Sequence, residues 1–242
     1  MSFAVSIMMT AADGKRVRME TMTAVAPASR FVPPRRFDNG DEWLRALGGV
    51  PLKRVIFDPW PGTATEADLL RFVERDKRLC ELVDNTLVEK PVGAWEAYIA
   101  ARLVTRLTLH ADQHNLGGVF GADATLRMAS SGRIRLPDVA FVSTARMPTT
   151  REPVPTVAPD LAVEVLREDN TPAEMEQKLR EYFQSGTRLA WLIDPSVRTV
   201  AVYHAPGEST RVLREADVLD GEQVVPGSTM PVADLFRNVP RQ

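Results

Sequence analysis

The chain has 242 residues, 44% hydrophobic and 26% charged, with a formal net charge of −2, which is the composition of a globular domain. The near-neutral balance excludes a strongly basic surface at whole-chain level, although a local basic groove is compatible with it. The single cysteine, Cys80, excludes an internal disulfide framework and fits a reducing compartment.

No apolar run approaches the ~20 residues needed to span a bilayer. The opening FAVSIMM has no preceding positive residue and makes a poor secretion signal. The expectation is a soluble, cytoplasmic protein. Residues 1–40, with the proline-rich APASRFVPPRR, lack sustained periodicity and read as a poorly ordered extension. A single domain is expected over 41–242.

Along that domain, PGTATEADLLRFVERDKR reads as a helix, capped by Thr63 with Glu66 or by Thr65 with Asp68. CELVDNTLVEKP reads as a hairpin turning at Asp84-Asn85, residue types that tolerate tight-turn geometry. Trp95, Ile99, Leu103 and Leu107 recur every four residues and predict a helix from Trp95 to about Gln113. Strands are predicted at 119–128, 133–142, 158–166, 189–194 and 199–204. Between the third and fourth lies a helix over 172–185, with Thr171 as N-cap, Pro172 in the first turn, Glu174 completing a capping box and Gly186 as its stop. The order helix, three strands, helix, two strands predicts an α/β fold, a mixed sheet with a crossover helix and an N-terminal hairpin extension. The tail beyond 205 reads as a further strand or two and a short terminal segment, DLFRNV.

Two similar phrases, PDVAFV at 137–142 and PDLAVEVL at 159–166, place carboxylates in apolar strands. Strand alternation puts Asp138, Ala140 and Val142 on one face of the first, and Ala162, Glu164 and Leu166 on one face of the second. If the strands are neighbours, Asp138 and Glu164 converge beside small alanines that leave room for a cation. Met175, Leu179 and Tyr182 form the core-facing stripe of helix 172–185, and Lys178 stands in that stripe where an apolar residue is expected. Glu96 borders the apolar face of the earlier helix and is a weaker fourth candidate. Hard carboxylate oxygens suit Mg²⁺, which tolerates one or two carboxylates beside waters and phosphate oxygens. A lysine would hold the attacking water or neutralise charge developing on the phosphate.

Plainer readings compete with each of these. Asp160 reads as a strand-start residue after proline, Glu164 as a solvent-face glutamate, and Lys178 as a flank lysine whose stem alone is buried. His110 and His114 are spaced as a helical metal pair but lack a third ligand, and His204 stands by itself. Asp194 reads as a strand-end residue before proline. Asp123 either borders the site or makes a turn after Gly121.

LPDVAFV, APDLAVEVL and DNTPAEMEQKLREYFQSGTRLAWLIDP, in that order and spacing, resemble the Uma-type restriction endonuclease family of the PD-(D/E)XK nuclease superfamily. CELVDNTLVEKPVG, the helix around Glu96 and VFGADATLRM extend the resemblance over roughly 50–235. It implies a restriction-endonuclease-like core of a helix, a three-stranded antiparallel section, a crossover helix and another strand. It also implies Asp138 and Glu164 as metal ligands and Glu96 as the helix carboxylate. The lysine of the general motif would fall at 166, where this chain has Leu166; some branches move it to the following helix, where Lys178 stands. The family turn usually reads VDG where this chain has VDN, and its commonly Ser-rich stretch after EVL is here REDN.

The function so implied is a metal-dependent endonuclease hydrolysing phosphodiester bonds of DNA with Mg²⁺, Mn²⁺ being a substitute. A homodimer would address the two strands of a duplex. The alternative is a catalytically inactive nuclease-fold protein that binds nucleic acid or protein. A two-carboxylate glycosidase would need aromatic platforms that four scattered Trp and three Tyr do not provide. No recognition helix or separate DNA-reading module stands out.

Overall fold

The computed structural model describes residues 37–241, so the expected extension over 1–40 lies outside the described residues except at its end. In chain order the elements are α1 (Gly40–Ala46), α2 (Glu66–Asp76), β1 (Cys80–Val83), β2 (Thr86–Glu89), α3 (Ala94–His114), β3 (Gly117–Phe120), β4 (Leu126–Arg127), β5 (Ile134–Arg135), β6 (Val139–Ser143), β7 (Leu161–Val165), α4 (Pro172–Ser185), β8 (Leu189–Asp194), β9 (Thr199–Tyr203), β10 (Arg211–Leu213), β11 (Val218–Asp220), β12 (Thr229–Pro231) and α5 (Val232–Leu235). Among the described residues, no helix is long and apolar enough to cross a membrane.

Six strands form the main sheet in the order β10-β9-β8-β7-β6-β3. β7 and β8 pair in parallel and the other pairs are antiparallel. A parallel pair needs a crossover connection, and α4 supplies it. Alternation along the strands divides the core into two layers. Leu161, Val163 and Val165 pack with Ile99, Leu103 and Leu107 of α3, whereas Ala162 packs with Met175, Leu179 and Tyr182 of α4. Ala140, Ala162 and Ala190 pair in a row across β6, β7 and β8 on the α4 side. Side chains this short leave space above the sheet for the long polar side chains of α4.

A second sheet, ordered β2-β1-β5-β4, carries the hairpin. Asp84 and Asn85 turn it with φ of 45° and 56°, the left-handed pair that a two-residue hairpin loop requires. The hairpin is an integral layer, because Leu82 of β1 pairs with Ile134 of β5 and an apolar cluster holds α2 against it.

Local chemistry accounts for the boundaries. Of the two caps proposed for α2, Thr65 with Asp68 forms the reciprocal capping box. α4 spans the expected residues, with the Thr171 hydroxyl accepting from the Glu174 N–H at 3.0 Å and Gly186 in the left-handed region at φ 108°. The other half of that box is not used: the Glu174 carboxylate turns to Arg54, at 2.7 and 2.9 Å. Trp95 leaves the predicted stripe: it is 46% exposed and packs edge-on against Tyr98. The strand expected over 133–142 is two strands in two sheets, β5 and β6. The break falls at Leu136-Pro137, where proline has no N–H to give and restricts its predecessor. The stretch 119–128 divides likewise into β3 and β4, and the tail folds as three short strands and α5.

Candidate active site

The β6–β7 pair places both Pro-Asp motifs, and it does so with near symmetry. Asp138 donates its N–H to the Val163 carbonyl at 2.9 Å and accepts the Val165 N–H on Oδ2 at 2.7 Å. Asp160 donates to the Phe141 carbonyl at 2.7 Å and accepts the Ser143 N–H on Oδ2 at 2.7 Å. Each aspartate therefore caps the end of the other strand. The register Val139↔Val163 and Ala140↔Ala162, carried one step further, sets Asp138 opposite Glu164.

The two ends differ in what surrounds them. Asp160 is fully buried, and Arg146 and Arg188 hold its Oδ1 at 2.8 and 3.0 Å. Burial alone would raise its carboxyl, but the Ser143 N–H and Arg146 bring it below its ordinary value. It is thus a structural anchor, tying β6 and β8 to β7, and more than the strand-start residue expected. At the other end, Asp138, Glu164, Lys178 and Glu96 all line one cleft.

Glu164 is 5% exposed and receives the Tyr182 hydroxyl at 2.5 Å and the Lys178 ammonium at 3.2 and 3.3 Å. Burial pushes its carboxyl up and Lys178 opposes this, while the negative charges of Asp138 and Glu81 add to the rise. Lys178 is 2% exposed. Burial would favour its neutral form, yet Glu164 and Glu81 hold it above the ordinary lysine value, which favours the ammonium. Tyr182 keeps its proton too, because burial and the Glu164 charge raise it.

Two further groups belong to this cluster and carry no flag in the sequence reading. Glu81 of β1 lies 3.0 Å from the Lys178 ammonium. Burial alone would raise its carboxyl, but Lys178 and Arg135 hold it well below the usual range. Its signal was a glutamate inside the wholly buried strand CELV, the same anomaly as Glu164 in PDLAVEVL. Lys90, just beyond β2, sits 2.8 Å from Asp138 Oδ1 and donates to the Leu136 carbonyl. A lysine at a strand end before proline looks like any surface lysine in sequence.

Behind Glu81 an ion ladder crosses from the hairpin sheet to α4. Arg135 binds Glu81 at 2.8 Å and Glu181 at 2.7 and 2.9 Å, and Arg133 joins Glu181 to Asp84. Glu96 faces the cleft mouth, where its carboxylate meets Arg167 at 3.3 Å and not the Asp138–Glu164 pair.

The remaining candidates take local bonds. His110 donates to the Pro226 carbonyl at 2.8 Å and His114 to the His110 carbonyl at 2.9 Å. His204 bonds Thr210 and Glu222. Asp194 accepts the Ser196 N–H and hydroxyl in a turn, and Asp123 is exposed in the turn after Gly121.

Among the described residues, no group of three or more His, Cys, Asp and Glu forms a metal cage. Two hard carboxylates on adjacent strands are nonetheless a donor set that fits Mg²⁺, which completes its shell with waters and substrate oxygens. The cleft offers about 40 Å³, room for a cation with a few waters.

No curated protein matches the chain. A crystal structure of a "putative nuclease belonging to DUF820" from Anabaena variabilis ATCC 29413 shares the fold, with a TM-score of 0.60 and 20% identity over 66% of this chain and 91% of that one. The Uma2 family, described as "Putative restriction endonuclease", matches residues 66–233. That match covers more than half of the chain and includes every element from α2 to β12, so the protein belongs to the Uma2 family.

Proposed function

We propose that this protein is a metal-dependent endonuclease that hydrolyses phosphodiester bonds of DNA. The observation that carries the reading is the meeting of Asp138 and Glu164 at the open end of β6–β7, with Lys178 against Glu164. Asp138 and Glu164 would hold Mg²⁺, or Mn²⁺ in its place. Such an ion polarises a phosphoryl oxygen and lowers the pKa of a bound water.

The chain's own groups do the rest. The Val165 N–H and Lys90 orient Asp138, while Tyr182 fixes the Glu164 carboxylate. Lys178, held as an ammonium, donates to the attacking water or to the phosphate oxygen on which charge develops. Glu96, across the cleft mouth, assists at the metal or the water once free of Arg167. Cutting both strands of a duplex requires two such sites, and a homodimer provides them; sedimentation at micromolar concentration measures that state.

A second reading, a nuclease-fold binding module, draws support from the lysine already seated on each carboxylate. The deciding measurement is cleavage of duplex DNA, single-stranded DNA and RNA with Mg²⁺ or Mn²⁺ against a chelator control. The expected result is metal-dependent cutting, strongest on DNA. Nucleic-acid binding without cutting under any metal would establish the module instead.

A further inference from the structure

We infer that Arg167 is the residue that grips a backbone phosphate of the nucleic acid, and that Glu96 is the resting counter-ion which the phosphate displaces. The inference rests on the nuclease reading and names a contact that reading leaves open.

Two arginines line the cleft, and they are in opposite states. Arg54 is fully committed: it forks onto Glu174 at 2.7 and 2.9 Å, donates Nε to the Glu89 carbonyl at 2.9 Å and reaches the Asp169 carbonyl at 3.1 Å. Among the described residues, Arg167 makes a single side-chain hydrogen bond, NH1 to Glu96 Oε2 at 3.3 Å, longer than the ~2.7–2.9 Å of a good charge-assisted bond. Among the described residues its Nε is buried without a hydrogen-bond partner, a state that leaves a guanidinium donor needing an acceptor. Both members of the pair remain open to water, with side chains 26% and 24% exposed.

The base of Arg167 is nevertheless fixed. Its N–H donates to Asn170 Oδ1 at 3.0 Å, and its carbonyl accepts the Asn170 N–H at 3.0 Å. The chain thus holds the root of the side chain three residues after Glu164 and leaves the head available. A guanidinium fork matches two phosphate oxygens, which a single long contact to one carboxylate oxygen does not equal.

Gly93 shows how the pair is seated. A Cβ there would lie 1.8 Å from Glu96 Oε2 and 1.9 Å from Arg167 NH1. Gly93 is extended, at φ −120° and ψ 148°, a conformation any residue adopts, so the glycine is needed for space and not for its backbone. Both clashing atoms are ends of flexible side chains. One methyl group would therefore part Arg167 from Glu96 while leaving both residues in place. On this reading, phosphate binding does the same and releases Glu96 toward its role at the metal side.

The test is binding of a fluorescein-labelled DNA duplex by anisotropy across a KCl series, with Ca²⁺ replacing Mg²⁺ so that nothing is cut. R167Q is expected to bind about tenfold more weakly, with a plot of log K against log salt shallower by about one. R167K should restore the slope and only part of the affinity. E96Q and G93A, which unmask Arg167, should each bind about threefold more tightly, the scale of a part-exposed ion pair. Wild-type affinity and slope in R167Q, weaker binding by G93A, or no binding by the wild type would each overturn the assignment. Failure of the nuclease reading looks different: the binding pattern would appear as stated, with no cleavage when Mg²⁺ is restored.

Discussion

Asp138→Asn is expected to lower metal-dependent cleavage by about 10³-fold, while Asp160→Asn leaves cleavage near the wild-type rate. Both residues follow a proline, and both accept the N–H that ends the partner strand. Asparagine keeps that acceptor, so neither change unravels the β6–β7 pair. What asparagine removes is a charge, and the two charges serve different groups. Asp138 spends its free oxygen on Lys90 at a cleft shared with Glu164. If Asp138 holds the metal as proposed, loss of its charge forfeits several kcal/mol of transition-state stabilisation, and about 4 kcal/mol is three decades in rate. Asp160 faces Arg146 and Arg188, so D160N should lower the thermal midpoint and leave the rate alone. Initial rates on a labelled duplex, with melting curves of both variants, measure this. Full activity in D138N beside an inactive but folded D160N would move the site to the opposite end of the strand pair.

Arg135→Met should cause the largest loss of stability of any single change considered. Arg135 is 2% exposed and lies between Glu81 and Glu181. Removing one member of a buried ion network leaves uncompensated charge and costs about 3–5 kcal/mol, roughly 10 °C in thermal midpoint for a chain of this size. The sign of the pH dependence follows from the same pairings. In the wild type, Lys178 and Arg135 hold Glu81 below its ordinary value against burial, and Arg135 does so for Glu181. Their stabilisation is present above the unfolded carboxylate value near ~4.3 and is lost as pH falls through the lowered folded values. In R135M both carboxylates lose a partner and rise, so protonation relieves part of the penalty as the solution is acidified. The gap between variant and wild type should therefore narrow as the pH falls through the carboxylate range around the unfolded value near ~4.3. A gap of constant size across that range would show that the ladder carries no net charge stress.

The legible parts of the fold were those encoded within a few residues. The cap at Thr171, the stop at Gly186 and the turn at Asp84-Asn85 depend on neighbours in the chain, and the structure has them where local chemistry puts them. Alternation along 161–166 sorted Glu164 onto the face with Ala162, and the partner strand proved adjacent. What stayed hidden depends on distant segments. Nothing near Glu81 reveals that Lys178 completes it, nor does the RIRLPD stretch show that Arg135 stands between two carboxylates from separate elements. The break at Pro137 was readable from proline chemistry, but the two apolar runs around it hid a change of sheet. The anchoring contacts of Asp160 are hidden for a similar reason: Arg188 reaches it from 28 residues away.

The hairpin sheet has a consequence beyond its contribution to packing. It supplies Glu81 and, just past β2, Lys90, whereas Asp138 and Glu164 belong to the main sheet and Lys178 to α4. The cluster is therefore built on a seam between layers. Proteins open in cooperative pieces at free energies well below that of global unfolding, and this seam is where such an opening would reach the site. An opening there would take Glu81 from Lys178 and Lys90 from Asp138 with the six-stranded sheet intact. The integrity of the cleft thus depends on how firmly two layers adhere, a quantity that a melting temperature of the whole chain does not report.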